Sequence, residues 1–289
     1  MLKQIKFILP AQLVDMGGIP LKQAIPTEKV GNFDPFLLLH HAVMQSYSDR
    51  PARTQGIGPH PHRGFSPVTF IIKGEVHHRD SFGNNQVAKA GDVQWLNAGA
   101  GIIHSERPSE DLAQADGQQE IIQLWINTPS LNKMDIPSYY HLTASEMPFF
   151  KSKDSKIRSR LIAGHYRGEK TKIKNDFPMT IIWGVGQKGG SDVYTIRQEF
   201  ATAIYLINGE VSLKGFGLVE AESLVIFEEG GTEIDITIKE NSQFLILSAQ
   251  AINEKIEQHG PFVMNSQTQI LEAMRDYQMG KMGILIEED

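Results

Sequence analysis

The sequence predicts an all-β protein made of two β-sandwich or β-barrel domains and a C-terminal helix. Three observations favour this fold. Short runs rich in β-branched and aromatic residues recur along the chain, separated by glycine, asparagine and aspartate, which is typical of sandwiches and barrels. The length of 289 residues corresponds to two domains at roughly 150 residues each. A weak internal repeat relates the two halves of the chain.

Strand-like runs alternate with turn signals through most of the chain. The groups 83–85 (Gly-Asn-Asn) and 208–209 (Asn-Gly) predict turns between strands. The polar segment 108–119 predicts an exposed loop. The runs with strand composition are 68–72, 121–126, 180–183, 202–207 and 244–247.

The clearest helical pattern lies near the C-terminus. Ser266 begins a capping box that ends at Gln269, and Gly280 is a residue that commonly follows the end of a helix. Between them, apolar side chains recur with the spacing of one helix face, at positions 270, 273, 274 and 277.

The internal repeat has two parts. Residues 70–76 resemble 205–211 at an offset of 135 positions, and residues 93–99 resemble 224–230 at an offset of 131. Any two strand–turn–strand units share such features, but the two-domain length favours a duplication.

The domain boundaries follow from the repeat. We expect a first barrel over residues 1–130 and a polar connecting segment over 131–175. A second barrel with the C-terminal helix is expected over residues 176–289.

Composition excludes several classes of protein. The chain has 28 basic and 34 acidic residues and a net charge of −6, so it lacks the electrostatic footprint of a nucleic-acid binder, and we expect no direct nucleic-acid partner. Cysteine is absent, which excludes disulfides, thiolate metal sites, iron–sulfur clusters and a cysteine nucleophile. Neither a signal peptide nor a membrane-spanning run of about 18 apolar residues is evident. We therefore expect no membrane association and a cytoplasmic location, extended to the nucleus in a eukaryote.

Two pairs of residues carry the predicted chemistry. His60 and His62 flank a proline, and His104 and Glu106 flank a serine. Residues i and i+2 of a strand point to the same face, so two such strands would bring three imidazoles and one carboxylate together. This donor set suits Fe(II) first, with Mn, Ni, Cu and Zn as alternatives, and it leaves two open positions on an octahedral ion.

Other histidines compete with this interpretation. A lone His-x-His pair is more often hydrogen-bonded or on the surface than a metal site. His78 and Asp80 form a rival i, i+2 pair, for which a solvated strand end with a local salt bridge is the favoured interpretation. His40 and His41 are adjacent, so at most one could join a site. The histidines in polar contexts, expected on the surface, are His141, His165 and His259.

The repeat predicts one metal for each chain. Adding the offset of 135 to positions 60 and 62, and that of 131 to positions 104 and 106, gives the corresponding positions in the second half. The residues there form no comparable set of ligands. The second barrel is therefore expected to lack a metal. The four positions are Thr195, Arg197, Asp235 and Thr237.

The candidate ligands lie within motifs that resemble those of the pirin family. The segments that carry the resemblance are 58–65, 80–81, 91–95, 98–106, 123–127 and 260–265. The resemblance implies a bicupin, with two jelly-roll-like β-barrels of which the N-terminal one holds iron. It also implies that the metal ligands are His60, His62, His104 and Glu106.

Two functions follow from this resemblance. One is a quercetin 2,3-dioxygenase type of reaction, in which a flavonol and dioxygen are the substrates and Glu106 is the catalytic base as well as, or instead of, a ligand. The alternative is a non-enzymatic, iron-dependent redox sensor that acts through protein–protein contact, as a transcription cofactor or as a regulator of a metabolic enzyme. A third, weaker option is a structural metal, which the two open coordination positions disfavour.

The chain departs from the family pattern near the expected pocket. Ser66 stands where a glutamate is typical, and His40 where an acidic residue is common, so either could alter the pocket and its substrate. A third departure is residues 248–251, where a glycine-containing stretch is common. Phe36, Phe65 and Trp95 are candidates for packing an aromatic substrate, although a core role is favoured for all three.

Overall fold

The computed structural model describes residues 1–31 and 33–287, most of which lie in β-strands. In chain order these strands are β1 Ile5–Pro10, β2 Gln12–Met16, β3 Ile19–Ile25, β4 Phe36–Gln45, β5 Ile57–His62, β6 Phe65–Lys73, β7 Glu75–Asp80, β8 Asn85–Lys89, β9 Val93–Asn97, β10 Ile102–Arg107, β11 Gln118–Asn127, β12 Ser138–Leu142, β13 Phe149–Lys151, β14 Ile157–Tyr166, β15 Glu169–Lys170, β16 Met179–Gly186, β17 Ser191–Thr195, β18 Ala201–Leu213, β19 Gly217–Glu220, β20 Ser223–Phe227, β21 Glu233–Ala249, β22 Glu257–His259 and β23 Phe262–Met264. The helices are a 3₁₀ turn at Ala52–Thr54, α1 Glu110–Gln114 and α2 Gln267–Gln278. The prediction of an all-β fold with a C-terminal helix is confirmed.

The chain forms two compact units, which we call unit A and unit B. Unit A comprises Val14–Leu21, Phe36–Ala144 and Ile252–Asp289, and unit B comprises Met1–Leu13, Lys22–Pro35 and Ser145–Ala251. Unit A contains a four-stranded sheet, β5-β10-β7-β8, and most of a seven-stranded sheet, β12-β9-β6-β11-β4-β3-β2. Unit B is built on one sheet of order β1-β20-β18-β21-β16-β14-β13, to which β15, β17 and β19 are attached.

These units are not the contiguous segments expected from the sequence. β1 pairs with β20, so the first residues of the chain complete unit B, whereas 252–289 belong to unit A. The expected connection 131–175 contains β12 of unit A and three strands of unit B. Strand composition shows that a segment will pair, but it does not show which sheet the segment completes.

The five predicted strand runs lie within β6, β11, β16, β18 and β21. The turn predicted at 83–85 does separate β7 from β8, but the turn predicted at Asn208-Gly209 is wrong. These two residues form an irregular step inside the long strand β18, where the pairing register with β21 shifts. Gly209 has a φ of +76°, and a Cβ there would lie 2.3 Å from the Asn241 carbonyl oxygen, so the bulge requires glycine.

The ladder registers support the internal repeat. Val68 pairs with Trp95 between β6 and β9, and Ala203 pairs with Ile226 between β18 and β20. These pairs are related by the offsets of 135 and 131 read from the sequence. Gly74 follows β6 with a φ of +77° and corresponds to Gly209.

The C-terminal helix follows its sequence signals. The Ser266 side chain accepts a hydrogen bond from the Gln269 N–H at 3.3 Å, and Gly280, with a φ of +72°, follows the C-cap. The exposed loop predicted at 108–119 is exposed at residues 110, 111 and 114–116, but the segment is not a loop throughout. The buried Ser109 caps α1, and the segment then enters β11.

A buried lysine joins the C-terminal segment to the rest of unit A. The side chain of Lys133 is 1% exposed. Its Nζ donates to the carbonyl oxygens of Gly64 at 2.6 Å and Val263 at 3.1 Å. A third bond goes to Asn127 Oδ1 at 2.6 Å. Lys133 therefore satisfies three buried acceptors at once.

Replacing Lys133 with methionine is expected to lower the free energy of unfolding by about 2–4 kcal/mol, because it leaves these buried oxygens without a donor. Urea denaturation followed by circular dichroism measures the loss. The matched control is Lys153→Met at an exposed position, for which we expect a change within about 0.5 kcal/mol. Equal effects of the two variants would contradict the assigned role.

Among residues 1–31 and 33–287, no helix is long and apolar enough to cross a membrane.

Candidate metal centre

Three histidines of unit A converge where β5 and β10 pair. His60 lies opposite His104 in the antiparallel register, and His62 follows on the same face of β5. Ligand-type nitrogens of all three lie within 4.8 Å of one another, and the Nε2 atoms of His60 and His62 are 3.1 Å apart. β5 forms the edge of its sheet, which accommodates Pro61, a residue that cannot donate to a ladder.

The imidazoles of this cluster have their lone pairs available for ligation. Burial, followed by repulsion from neighbouring imidazoles, lowers the pKa of His62 and of His104 well below the ordinary histidine value. The Nδ1–H of His60 donates to the Gly58 carbonyl at 2.8 Å, which turns its Nε2 toward the other two histidines. The Nε2 atoms of His60 and His62, 3.1 Å apart, therefore share either a proton or a bound cation. In addition, His104 Nε2 is buried without a hydrogen-bond partner among the described residues.

These atoms fit a transition-metal ion. Neutral imidazole nitrogens suit Fe, Ni, Cu and Zn, and an unpaired buried nitrogen is explained if it is a ligand. The cluster combines both features.

Glu106 does not belong to this close group. It is 4% exposed and lies on β10, two residues after His104. Its Oε1 accepts from Thr69 Oγ1 at 2.8 Å, and its Oε2 accepts from Gln123 Nε2 at 2.7 Å. Trp125 Nε1–H donates to Gln123 Oε1 at 3.0 Å, which fixes the orientation of that amide. The carboxylate is thus held in place by neutral donors.

The solvated strand end predicted for His78 and Asp80 is wrong, although their contact is present. Both residues are buried, and His78 Nε2 lies 3.0 Å from Asp80 Oδ2. Burial alone would raise the pKa of Asp80, but hydrogen bonds from His78 and Asn84 outweigh it and lower the pKa. Asp80 therefore accepts the Nε2–H of His78.

This contact extends to the cluster. His78 Nδ1 lies 3.5 Å from His104 Nδ1, and when Nε2 carries the only proton of His78, this Nδ1 is an acceptor for His104. His104 then carries its own proton on Nδ1, and its Nε2 is left free. Tyr139 stacks on His78 with ring centroids 4.1 Å apart. In that protonation state, the chain Asp80–His78–His104 selects the tautomer of His104.

Replacing His78 with phenylalanine is expected to weaken metal binding about 10–100-fold, because it removes the acceptor that fixes His104. His78→Asn, whose amide oxygen can accept the same proton, is expected to bind more tightly than His78→Phe. Competition with a chromogenic chelator measures both affinities. His77→Phe on the same strand is the control, since His77 contacts Asn85 instead. If His78→Asn and His78→Phe weaken binding equally, the tautomer role is wrong.

The two sequence departures lie in different surroundings. Ser66 Oγ donates to Asn97 Oδ1 at 2.8 Å, and Ser66 lies on the face of β6 opposite Thr69, the residue that contacts Glu106. A change at Ser66 therefore does not add a group to the cluster. His40 lines a small cavity of about 20 Å³ with Gln123, the residue that donates to Glu106.

The remaining predicted residues have structural contacts. Phe36 and Phe65 are fully buried, and Phe65 contacts the rings of His62 and Trp125. Trp95 Nε1–H donates to Asn97. Of the other histidines, His41 contacts Glu120, His141 contacts Asp92, and His165 and His259 are exposed.

Burial lowers the pKa of His40 to about 4. The unfolded chain takes up this proton near pH 6.5, so the folded state binds fewer protons between these values, and its stability falls as the pH decreases from about 6.5 to 4. We expect His40→Gln to remove up to about 3 kcal/mol of this loss in metal-free protein. Urea denaturation at pH 7 and pH 4.5 measures it. The control variant His259→Gln should keep the wild-type pH dependence.

Unit B has an apolar core at the corresponding positions. His104 pairs with His60 across β10 and β5, and Ile234 pairs with Tyr194 across β21 and β17. The counterparts of the four candidate ligands are fully or almost fully buried and belong to one hydrophobic cluster. They are Tyr194, Ile196, Ile234 and Ile236.

The equivalences derived from the sequence, Thr195, Arg197, Asp235 and Thr237, are therefore out of register by one residue. The offset is 134 between β5 and β17 and 130 between β10 and β21, because the turn after β5 and the turn before β10 each differ by one residue from their counterparts. A shift of one residue moves a side chain to the opposite face of the sheet. The apolar counterparts offer no nitrogen or carboxylate ligand.

Comparison with known proteins shows which family the chain resembles. The Pirin family model matches residues 18–126, and the model of the Pirin C-terminal cupin domain matches residues 187–283. A Pseudomonas aeruginosa protein named "Putative quercetin 2,3-dioxygenase PA2418" is 32% identical over 266 residues, which cover 91% of this chain and 92% of that protein.

Solved structures resemble the whole chain. The crystal structure of quercetin 2,3-dioxygenase from Acinetobacter baumannii matches with a TM-score of 0.91 and 33% identity, covering 99% of this chain and 100% of that chain. The bacterial pirin YhhW from Escherichia coli, crystallised in complex with nickel(II), matches with a TM-score of 0.65 and 21% identity, covering 85% and 100%. At that identity the second likeness shows the fold alone.

Proposed function

Because this chain belongs to the pirin family, with two cupin domains, we propose that it is a mononuclear iron protein that cleaves flavonols such as quercetin with dioxygen. In this proposal His60, His62 and His104 hold Fe(II), and Glu106 is the catalytic base and an additional ligand. The likeness to proteins named quercetin 2,3-dioxygenase supports the reaction class.

One observation carries the metal assignment: the Nε2 atoms of His60 and His62 lie 3.1 Å apart, and the buried Nε2 of His104 has no hydrogen-bond partner among the described residues. Mn, Ni, Cu and Zn accept the same donors, and nickel occupies a relative. When bound, such an ion would act as a Lewis acid toward a substrate hydroxyl and offer open positions for substrate and dioxygen.

In this proposal, side chains of the protein accept the proton of the substrate hydroxyl. The flavonol 3-hydroxyl loses its proton to the carboxylate of Glu106, which retains free lone pairs beside the hydrogen bonds from Thr69 and Gln123. Gln123 is itself held by Trp125, so the carboxylate stays oriented through the transfer. The buried position of Glu106 keeps bulk water from competing for this proton.

The small cavity beside Gln123 favours a second candidate function. Its volume of about 20 Å³ is far below the roughly 300 Å³ of a typical site for a drug-sized ligand. None of the four candidate ligands lines this cavity, so it is not itself the place where a flavonol would reach the metal. If no larger cavity adjoins the metal, the site fits an iron-dependent redox sensor that acts on a transcription regulator or a metabolic enzyme through protein contact.

Anaerobic reconstitution with Fe(II), followed by quercetin and oxygen, tests the enzyme. We expect loss of flavonol absorbance with release of carbon monoxide, and neither in metal-free protein. Protein with stoichiometric iron that releases no carbon monoxide would exclude the dioxygenase. Affinity capture with iron held as Fe(II) or Fe(III) tests the sensor, which predicts different partner profiles in the two states.

A further inference from the structure

Unit B contains a cavity of about 700 Å³ that the proposed reaction does not use. It lies where β14 ends, where residues 171–178 lead into β16, and where β17 continues toward β18. Its volume is within the range of small-molecule sites.

The rim of this cavity is basic. Lys170 and Lys174 line it, and no carboxylate of the described residues lies within ion-pair distance of either side chain. Lys172 pairs with Glu146 at 3.1 Å, and Arg197 lies 3.9 Å from Glu199.

Asp176 is the acidic residue of the lining. The two lysines without an ion-pair partner therefore give the cavity lining an excess of positive charge, although the net charge of the chain is −6.

The interior offers hydrogen-bonding groups without partners. Thr171 is 8% exposed, and its Oγ1 is buried and has no hydrogen-bond partner among the described residues. The Oδ1 of Asn175 is buried and unpaired as well. Because buried polar atoms are rarely left unpaired, these two atoms indicate a ligand or ordered water in the cavity.

Apolar side chains form the floor. Ile173, Met179, Ile196 and Phe200 are each at most 5% exposed and line the cavity. Ile196 is the counterpart of His62. The cavity is therefore lined by an apolar side chain at the position where unit A has a candidate metal ligand. The Arg197 guanidinium lies 5.3 Å from the Phe200 ring centroid.

We propose that this cavity binds a small organic anion in which a ring carries a carboxylate or phosphate group. Lys170 and Lys174 attract the anionic group, the Thr171 hydroxyl donates to it, and the ring packs on Ile196 and Phe200. The proposal does not depend on the metal or on flavonol cleavage.

Isothermal titration of the full chain tests the site with benzoate and phenyl phosphate, which differ in their anionic group. Benzyl alcohol supplies the ring without charge, and inorganic phosphate supplies charge without the ring. We expect saturable binding of one molecule for each chain by at least one ring-bearing anion, at least fivefold tighter than either partial probe and weaker at high salt.

The test variant Lys170→Gln/Lys174→Gln should weaken binding about fivefold or more. Thr171→Val should also weaken it, by removing the buried donor. The matched control, Lys188→Gln/Lys239→Gln, removes two exposed lysines of the same unit and should leave the affinity unchanged. The Tm of each variant is measured as well, so that a loss of binding is distinguished from a loss of folding.

Three results would overturn the proposal. One is no saturable binding by either ring-bearing anion up to about 10 mM. Another is an affinity for benzyl alcohol equal to that for the tighter-binding ring-bearing anion. The third is equal weakening by the test and control lysine variants.

Discussion

Replacing His104 with glutamine is expected to lower the affinity for Fe(II) by roughly 100-fold or more and to abolish flavonol cleavage. Glutamine keeps polarity and approximate length but supplies no imidazole nitrogen at the unpaired position of His104 Nε2. Loss of an outer contact alone costs about 10–100-fold, so loss of a ligand is expected to cost at least as much.

Metal content after anaerobic loading and desalting measures this effect, together with carbon monoxide release. His259→Gln, an exposed histidine of unit A, is the control and should retain full metal. If His104→Gln retained metal as the wild type does, His104 would not be a ligand.

Replacing Glu106 with glutamine is expected to reduce turnover about 10²–10⁴-fold while lowering metal content much less than His104→Gln does. The carboxylate lies outside the close group of nitrogens and is held by Thr69 and Gln123. Glutamine can keep both contacts, because its amide donates to Thr69 Oγ1 and its oxygen accepts from Gln123. It cannot accept the substrate proton.

Parallel measurement of metal content and kcat separates the two roles of Glu106. Loss of metal equal to that of His104→Gln would make Glu106 mainly a ligand. Full activity in Glu106→Gln would remove it from proton transfer. The control Glu110→Gln lies in α1, outside the site.

The spacing of His60 and His62 was sufficient to predict that they share a face, and their convergence with His104 required that two such strands face one interior. Side chains two apart on a strand share a face, and edge pairing of β5 with β10 places the histidines opposite one another. The supporting groups could not be predicted in the same way. Thr69 and Gln123 belong to other strands and have no signature of their own.

His78 shows why the sequence favoured the wrong interpretation of a real pair. A His-x-Asp pair beside a Gly-Asn-Asn turn has the composition of a solvated strand end. In the fold, β7 is an inner strand of its sheet, hydrogen-bonded to β10 on one side and to β8 on the other. Tyr139 from β12 stacks on the ring of His78. Burial was decided by these long-range pairings.

By itself, the sequence determined the strand-rich class, the two related halves, the helix capped by Ser266 and the three converging histidines, because each depends on local composition, spacing or repetition. Only the tertiary structure decided which unit the chain ends join, that Glu106 is held by Thr69 and Gln123, and that Tyr194 and Ile234 are the counterparts of His60 and His104. These features depend on pairing registers between distant strands, where a shift of one residue reverses the face of every side chain. No local pattern records that register.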